Sequence, residues 1–175
     1  MQINISEIIS TDYKVQRFSP EIEMEAFCLD GERYEFIRKS PVELKAQNEG
    51  HSVVNFSGHV DVTIDIPCSR CLTSVPTRLD FDFSQKVDFE KLKAEQLDDL
   101  DETSFMEESS LDVDRFVYNE ILMRFPMKTL CREDCKGLCP KCGTNLNEST
   151  CNCSQEKEVD SRLSVLLTLL DENED

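Results

Sequence analysis

Val53-Val-Asn-Phe-Ser-Gly-His-Val-Asp-Val-Thr-Ile-Asp-Ile66 is the stretch on which the fold turns. Val54, Phe56, Val60, Val62, Ile64 and Ile66 alternate with Asn55, Ser57, His59, Asp61, Thr63 and Asp65. A period of two gives a β-strand one apolar and one polar face. Gly58 falls on the apolar side, where a missing side chain marks a bulge or a close approach of backbone. A second alternation follows, with Leu79, Phe81, Phe83, Val87 and Phe89 set against Asp80, Asp82, Ser84, Lys86 and Asp88. The two runs predict a long antiparallel hairpin with Cys68-Ser-Arg-Cys71 at or near its tip.

Outward from the hairpin, shorter runs at Ile22 to Cys28, Arg33 to Ile37 and Val42 to Ala46 predict further strands. The fold class expected is α+β: an antiparallel sheet or partly open barrel with flanking helices and a C-terminal cysteine-rich segment. Val113, Phe116, Val117, Ile121 and Phe125 recur at helical spacing, with Asp112 and Asp114 at the favourable N-terminal end and Pro126 as the stop. Leu163, Leu166, Leu167 and Leu170 make an apolar stripe that predicts a last helix near Asp160 to Leu170. This divides the chain into a β-rich core, 1–126, with an acidic loop at about 90–110 and a helix at about 112–125, and a cysteine-rich tail, 127–175.

At 175 residues, 39% hydrophobic and 31% charged, the composition is that of a soluble globular protein, and no apolar run reaches the ~20 residues of a membrane-spanning helix. The start, Met1-Gln-Ile-Asn4 followed by Glu7, has neither the basic opening nor the apolar stretch of a secretory signal, so a cytoplasmic location is expected. The net charge of −17 disfavours sequence-independent binding of nucleic acid. From Glu90 to Asp114 ten acidic residues face only Lys91 and Lys93.

A reducing cytoplasm disfavours disulfides, so nine cysteines point to metal. Eight form close pairs: Cys68 with Cys71, Cys131 with Cys135, Cys139 with Cys142, and Cys151 with Cys153. Tetrahedral zinc takes four thiolates, so these pairs suggest one or two structural Zn²⁺ ions, and Gly143 permits the reversal that such knuckles use. Four pairs combine into two sites in three ways. Short loop closure favours Cys139, Cys142, Cys151 and Cys153 around one ion, leaving Cys68, Cys71, Cys131 and Cys135 for another. Cys28, on the side of Ile22, Met24 and Ala26, is expected as a small buried hydrophobe. A secreted disulfide framework fits poorly with the odd cysteine count and the cysteine-free stretch from Leu72 to Leu130. A thioredoxin-like reading of Cys68 and Cys71 fits poorly with strand surroundings, since such pairs begin helices.

No catalytic residues are identified. A four-thiolate site leaves no open position for water, and His51 and His59 are the only histidines, with His59 on the polar side of its strand. Five glycines form no phosphate-cradling loop, and no nucleophile has a neighbouring base. A small-molecule substrate and a membrane partner are not expected.

At Cys68-Ser-Arg-Cys-Leu72, at the helix with Glu120 and Pro126, and above all at Cys131-Arg-Glu-Asp-Cys-Lys-Gly-Leu-Cys-Pro-Lys-Cys-Gly-Thr-Asn-Leu-Asn147 with Cys151-Asn-Cys153, the chain resembles the YceD family, the large ribosomal RNA subunit accumulation proteins. The resemblance runs from about Val53 to Cys153; little in the first fifty residues carries it. It implies a bacterial accessory factor in processing, stability or assembly of large-subunit ribosomal RNA, with ribosomal RNA or assembly intermediates as partners and no defined chemistry. Local charge can be set beside this. Arg124, Lys128, Arg132, Lys136 and Lys141 against Glu133 and Asp134 give +3, which two four-thiolate zinc sites at −2 each would cancel. The alternative is an acidic adaptor or holdase that grips a basic ribosomal protein, with the effect on RNA following from that.

Overall fold

The computed structural model describes residues 1–91, 106, 107 and 109–153. Most of the acidic stretch and the whole of the helix expected at Asp160 to Leu170 lie outside these residues. In chain order the elements are β1 (Gln2–Asn4), α1 (Ser6–Ser10), β2 (Val15–Phe18), β3 (Ala26–Leu29), β4 (Glu32–Lys39), β5 (Glu43–Gly50), β6 (Val53–Pro67), β7 (Ser74–Asp88), β8 (Met106–Glu107), β9 (Ser110–Asp112) and α2 (Val113–Arg124).

The alternating stretch forms β6, the axis of an antiparallel six-stranded sheet. On one side β7 pairs with all of it, from Val53 opposite Asp88 to Pro67 opposite Ser74. On the other side β5 takes the first half, Glu43 opposite His59, and β4 takes the second, Phe36 opposite Ile64. The chain changes course between them at residues 40–42, where Val42 N–H donates to Pro20 C=O at 2.8 Å. Outside these, β2 pairs with β5 and β3 with β4, leaving the sheet open rather than closed into a barrel. A smaller antiparallel sheet runs β1-β9-β8.

The apolar set of β6 does what its period dictates: Val54, Phe56, Val60, Val62 and Ile64 are buried against Phe83, Val87 and Phe89 of the partner run and against Phe116, Val117 and Ile121 of α2. Each such side chain contributes about 1.5–3 kcal/mol by leaving water. Phe83 meets Phe116 edge-on at 4.9 Å, and Phe27 stacks on Phe125 at 5.1 Å. Gly58 marks a close approach and not a bulge. It stays in register opposite Leu44, and a Cβ there would lie 1.8 Å from the Glu43 carbonyl oxygen and 2.7 Å from Phe83 Cζ. Register shifts fall elsewhere, between Asn48 and Gly50 of β5 and between Phe36 and Arg38 of β4. Asn48 is fully buried and donates to Ile8 C=O at 2.8 Å, fastening α1 to the sheet.

The second helix begins where its sequence signals put it, Asp112 accepting from Arg115 N–H at 3.2 Å. Asp114 instead reaches away and accepts from the amides of Glu23 and Met24 at 2.8 and 3.0 Å. Residues 23 and 24 lie outside any strand, and the expectation for Cys28 is overturned. The strand begins only at Ala26, and with Ala26 and Phe27 both buried the alternation loses its earlier phase. Phe27 takes the core and Cys28 is exposed.

Candidate metal centre

The hairpin register fixes the first cysteine pair. Pro67 opposite Ser74 leaves residues 68–73 as the connection, closed by Cys68 N–H donating to Thr73 C=O at 2.8 Å and Leu72 N–H to Cys68 C=O at 2.9 Å. Leu72 takes φ +60° to complete the reversal. The same turn recurs at the third pair. Cys139 N–H donates to Thr144 C=O and Gly143 N–H to Cys139 C=O, both at 2.8 Å, with Gly143 at φ +72°. In each turn a threonine two residues past the second cysteine meets its sulfur: Cys71 Sγ to Thr73 Oγ1 at 3.2 Å, Cys142 Sγ to Thr144 Oγ1 at 3.1 Å. The duplicated Cys-x-x-Cys-x-Thr was visible in the chain and is a signal that reading the cysteines alone missed.

The structure gathers the eight cysteines into two groups of four, Cys68, Cys71, Cys131 and Cys135, and Cys139, Cys142, Cys151 and Cys153, with the sulfurs of each group within 4.8 Å of one another. Of the three pairings open to the sequence, this is the one favoured by short loop closure. Zinc–sulfur bonds of ~2.3 Å place tetrahedral sulfurs ~3.8 Å apart. Cys68 and Cys135 stand at 3.8 Å and Cys71 and Cys131 at 3.5 Å, so the first cluster has the dimensions of a four-thiolate site. The donor set fits a soft divalent ion and leaves no ligand position unfilled.

The ionisation of these sulfurs points the same way. Burial opposes the Cys68 thiolate, yet backbone N–H groups of Arg70, Cys131 and Cys71 outweigh it and hold the thiol down to about 6. The Thr144 hydroxyl and amide hold Cys142 down to about 6. Cys131 and Cys153 are pushed up to about 12, first by contact with Cys71 and Cys142 respectively and then by burial. In each cluster the sulfurs oppose one another's ionisation through direct contact. Ionising all four at these separations requires a cation among them.

A zip of polar contacts joins the hairpin tip to the tail. Ser69 N–H donates to Thr129 C=O at 2.8 Å, Thr129 N–H to Ser69 Oγ at 3.2 Å, and Arg70 Nη1 to Cys135 C=O at 2.8 Å. Leu138 N–H returns to Arg70 C=O at 3.1 Å. Gly137 sits against the tip at φ +78°, where a Cβ would lie 3.0 Å from Arg70 O. Val75, Leu130 and Leu138 pack around the buried Cys68, Cys71 and Cys135. The role of Arg70 had no sequence signal, because it arises only when the tip and the tail meet.

The histidines stand apart. His59 is paired across the sheet with Asp82 at 3.0 Å, and His51 is exposed in a turn. Lys128, Lys136 and Lys141 are exposed around the clusters. Among the described residues no helix is long and apolar enough to cross a membrane.

Comparison with known proteins places these features in a family. Residues 56–170 match the family model described as large ribosomal RNA subunit accumulation protein YceD. An uncharacterized protein of Bacillus subtilis, YlbN, is 30% identical over 143 residues, 79% of each chain. Rv2926c of Mycobacterium tuberculosis is 24% identical over 103 residues, 59% of this chain and 49% of that one, so the chain spans about half the length of such relatives. A chloroplastic protein of Arabidopsis thaliana named as a YCED homolog is 31% identical over 52 residues, 30% of this chain and 16% of that one. No solved structure matches. On the family match, which takes in the hairpin, the second helix and both cysteine clusters, the chain belongs to the YceD family of large ribosomal RNA subunit accumulation proteins.

Proposed function

We propose that this protein is a non-enzymatic, cytoplasmic accessory factor for the accumulation of large-subunit ribosomal RNA, with two structural zinc ions fixing its tail against the hairpin tip. The observation that carries the zinc assignment is the pair of closed four-sulfur clusters. Cys68, Cys71, Cys131 and Cys135 would hold one ion and Cys139, Cys142, Cys151 and Cys153 the other. Each ion would act as a cross-link, replacing the hydrophobic core that residues 131–153 are too polar to build. With every position taken by sulfur, the ions have no place for a reacting water, which favours a binding role over a hydrolytic one.

RNA contact is best served by Lys128, Lys136 and Lys141, since they are exposed cations in a chain of net charge −17. The same net charge supports the second reading, an acidic adaptor for a basic ribosomal protein. Elemental analysis of protein purified without chelator tests the metal, with about two zinc ions per chain expected. Ultraviolet cross-linking in cells tests the partner. Adducts of ribosomal RNA at the cationic segment would support direct contact, whereas co-purification of a basic ribosomal protein after nuclease treatment, with no RNA adduct, would favour the adaptor.

A further inference from the structure

We infer that Asn147 couples the two cysteine clusters, so that metal loading of the second tightens metal binding at the first. The inference rests on the zinc reading above. Asn147 belongs to loop 143–150, which an ion held by Cys142 and Cys151 would close, yet its side chain serves the other cluster. Oδ1 accepts from Lys136 N–H at 2.8 Å and from Arg132 Nη2 at 2.7 Å. Both partners are pure donors, so the amide can face them only with its oxygen. Nδ2 therefore points at Cys135 Sγ, 3.3 Å away, and at Asn145 Oδ1, 2.9 Å away.

Donation from Nδ2 holds the Cys135 sulfur in position, as outer hydrogen bonds to metal ligands commonly do. Within itself the loop is a polar turn, with Glu148 and Ser149 N–H donating to Asn145 C=O, both at 3.1 Å, and Asn147 N–H to Asn145 Oδ1 at 3.1 Å. Leu146 is its only large apolar residue, and its backbone ties to the first cluster's strip are Leu146 N–H to Gly137 C=O at 2.9 Å and the bridge between Asn145 and Leu138. An ion in the second cluster fixes this loop and with it the Asn147 donor; an ion in the first fixes Cys135, Lys136 and Arg132 and hence the loop. Coupling of this kind is reciprocal.

The test is a zinc competition titration of the full chain against a chromophoric chelator, with ¹¹³Cd NMR separating the two clusters. Asn147→Asp keeps both accepted bonds and loses the donated one; Asn147→Leu loses all of them without adding charge, so agreement between the two excludes a purely electrostatic effect. Cys142→Ser with Cys151→Ser removes the second site. The first cluster should bind zinc roughly 10–100-fold more weakly in each case, the range typical of lost outer donors to metal ligands. Combining Asn147→Asp with the second-site removal should weaken it little further, since both act through one contact. Unchanged first-cluster affinity in either background, or fully multiplicative losses, would overturn the coupling. Wild-type protein that fills both clusters independently would sink the coupling alone, whereas protein that takes up no metal would sink the zinc reading and the coupling with it.

Discussion

Gly58 shows how much one missing side chain can matter. With the Glu43 carbonyl oxygen only 1.8 Å from where a Cβ would stand, Gly58→Ala must push β5 away from β6 or bend both. The expected loss is about 2–3 kcal/mol or more, as for overpacked cores, and chemical denaturation would measure it; an unchanged midpoint would contradict the close approach. At His59 the hydrogen bond to Asp82 raises the imidazole pKa, burial works against this, and the nearby carboxylates of Asp80, Asp82 and Glu43 add to the rise. Protonated His59 therefore stabilises the fold at pH below the unfolded value, ~6.5, and that contribution disappears as pH climbs through the higher folded value. NMR titration should find His59 above an ordinary histidine, and Asp82→Asn should bring it down. Of these two residues the sequence indicated that Gly58 was special and that His59 faced solvent. Which backbone approached, and which carboxylate sat across the strand, depended on register.

At the scale of elements, α2 was legible from its apolar spacing but its most telling side chains were not. Glu120 is buried, 4% exposed, and lies 2.7 Å from Arg124, whose guanidinium covers the Phe81 ring at 4.4 Å. A helical count marks the pair only as neighbours four apart; that it lies over β7 is a consequence of packing. Arg124→Met should cost about 2–3 kcal/mol by stranding a buried carboxylate, at or below the ~3–5 kcal/mol of broken buried pairs because Arg124 is itself partly exposed. Glu120→Gln combined with Arg124→Met should restore much of that loss, and thermal unfolding of the single and double variants would decide it. Asp114 is the counterpart. It was placed at the helix start by sequence, whereas its acceptance of the Glu23 and Met24 amides depends on packing.

Across the whole molecule, on the zinc reading proposed above, the sheet and the cysteine-rich tail would draw stability from different sources, one from buried apolar area and the other from ligation. Removing metal with a chelator, or substituting Cys139→Ser, should open residues 127–153 to protease while amides in β6 and β7 stay protected from hydrogen exchange. Unchanged zinc content and protease resistance in Cys139→Ser would contradict that division. The long hairpin, the second helix, the cysteine pairs and the family all follow from local pattern, because strand and helix periods and short ligand spacings need only neighbouring residues to be expressed. The open course of the sheet, the exposure of Cys28 and the reach of Asn147 from one cluster to the other were decided by tertiary structure, which also selected, among the three groupings of cysteine pairs, the one that short loop closure favours. Each joins residues far apart in the chain or depends on a phase shift between strands, and the free energy that selects among such arrangements exists only once the sheet and tail are packed together.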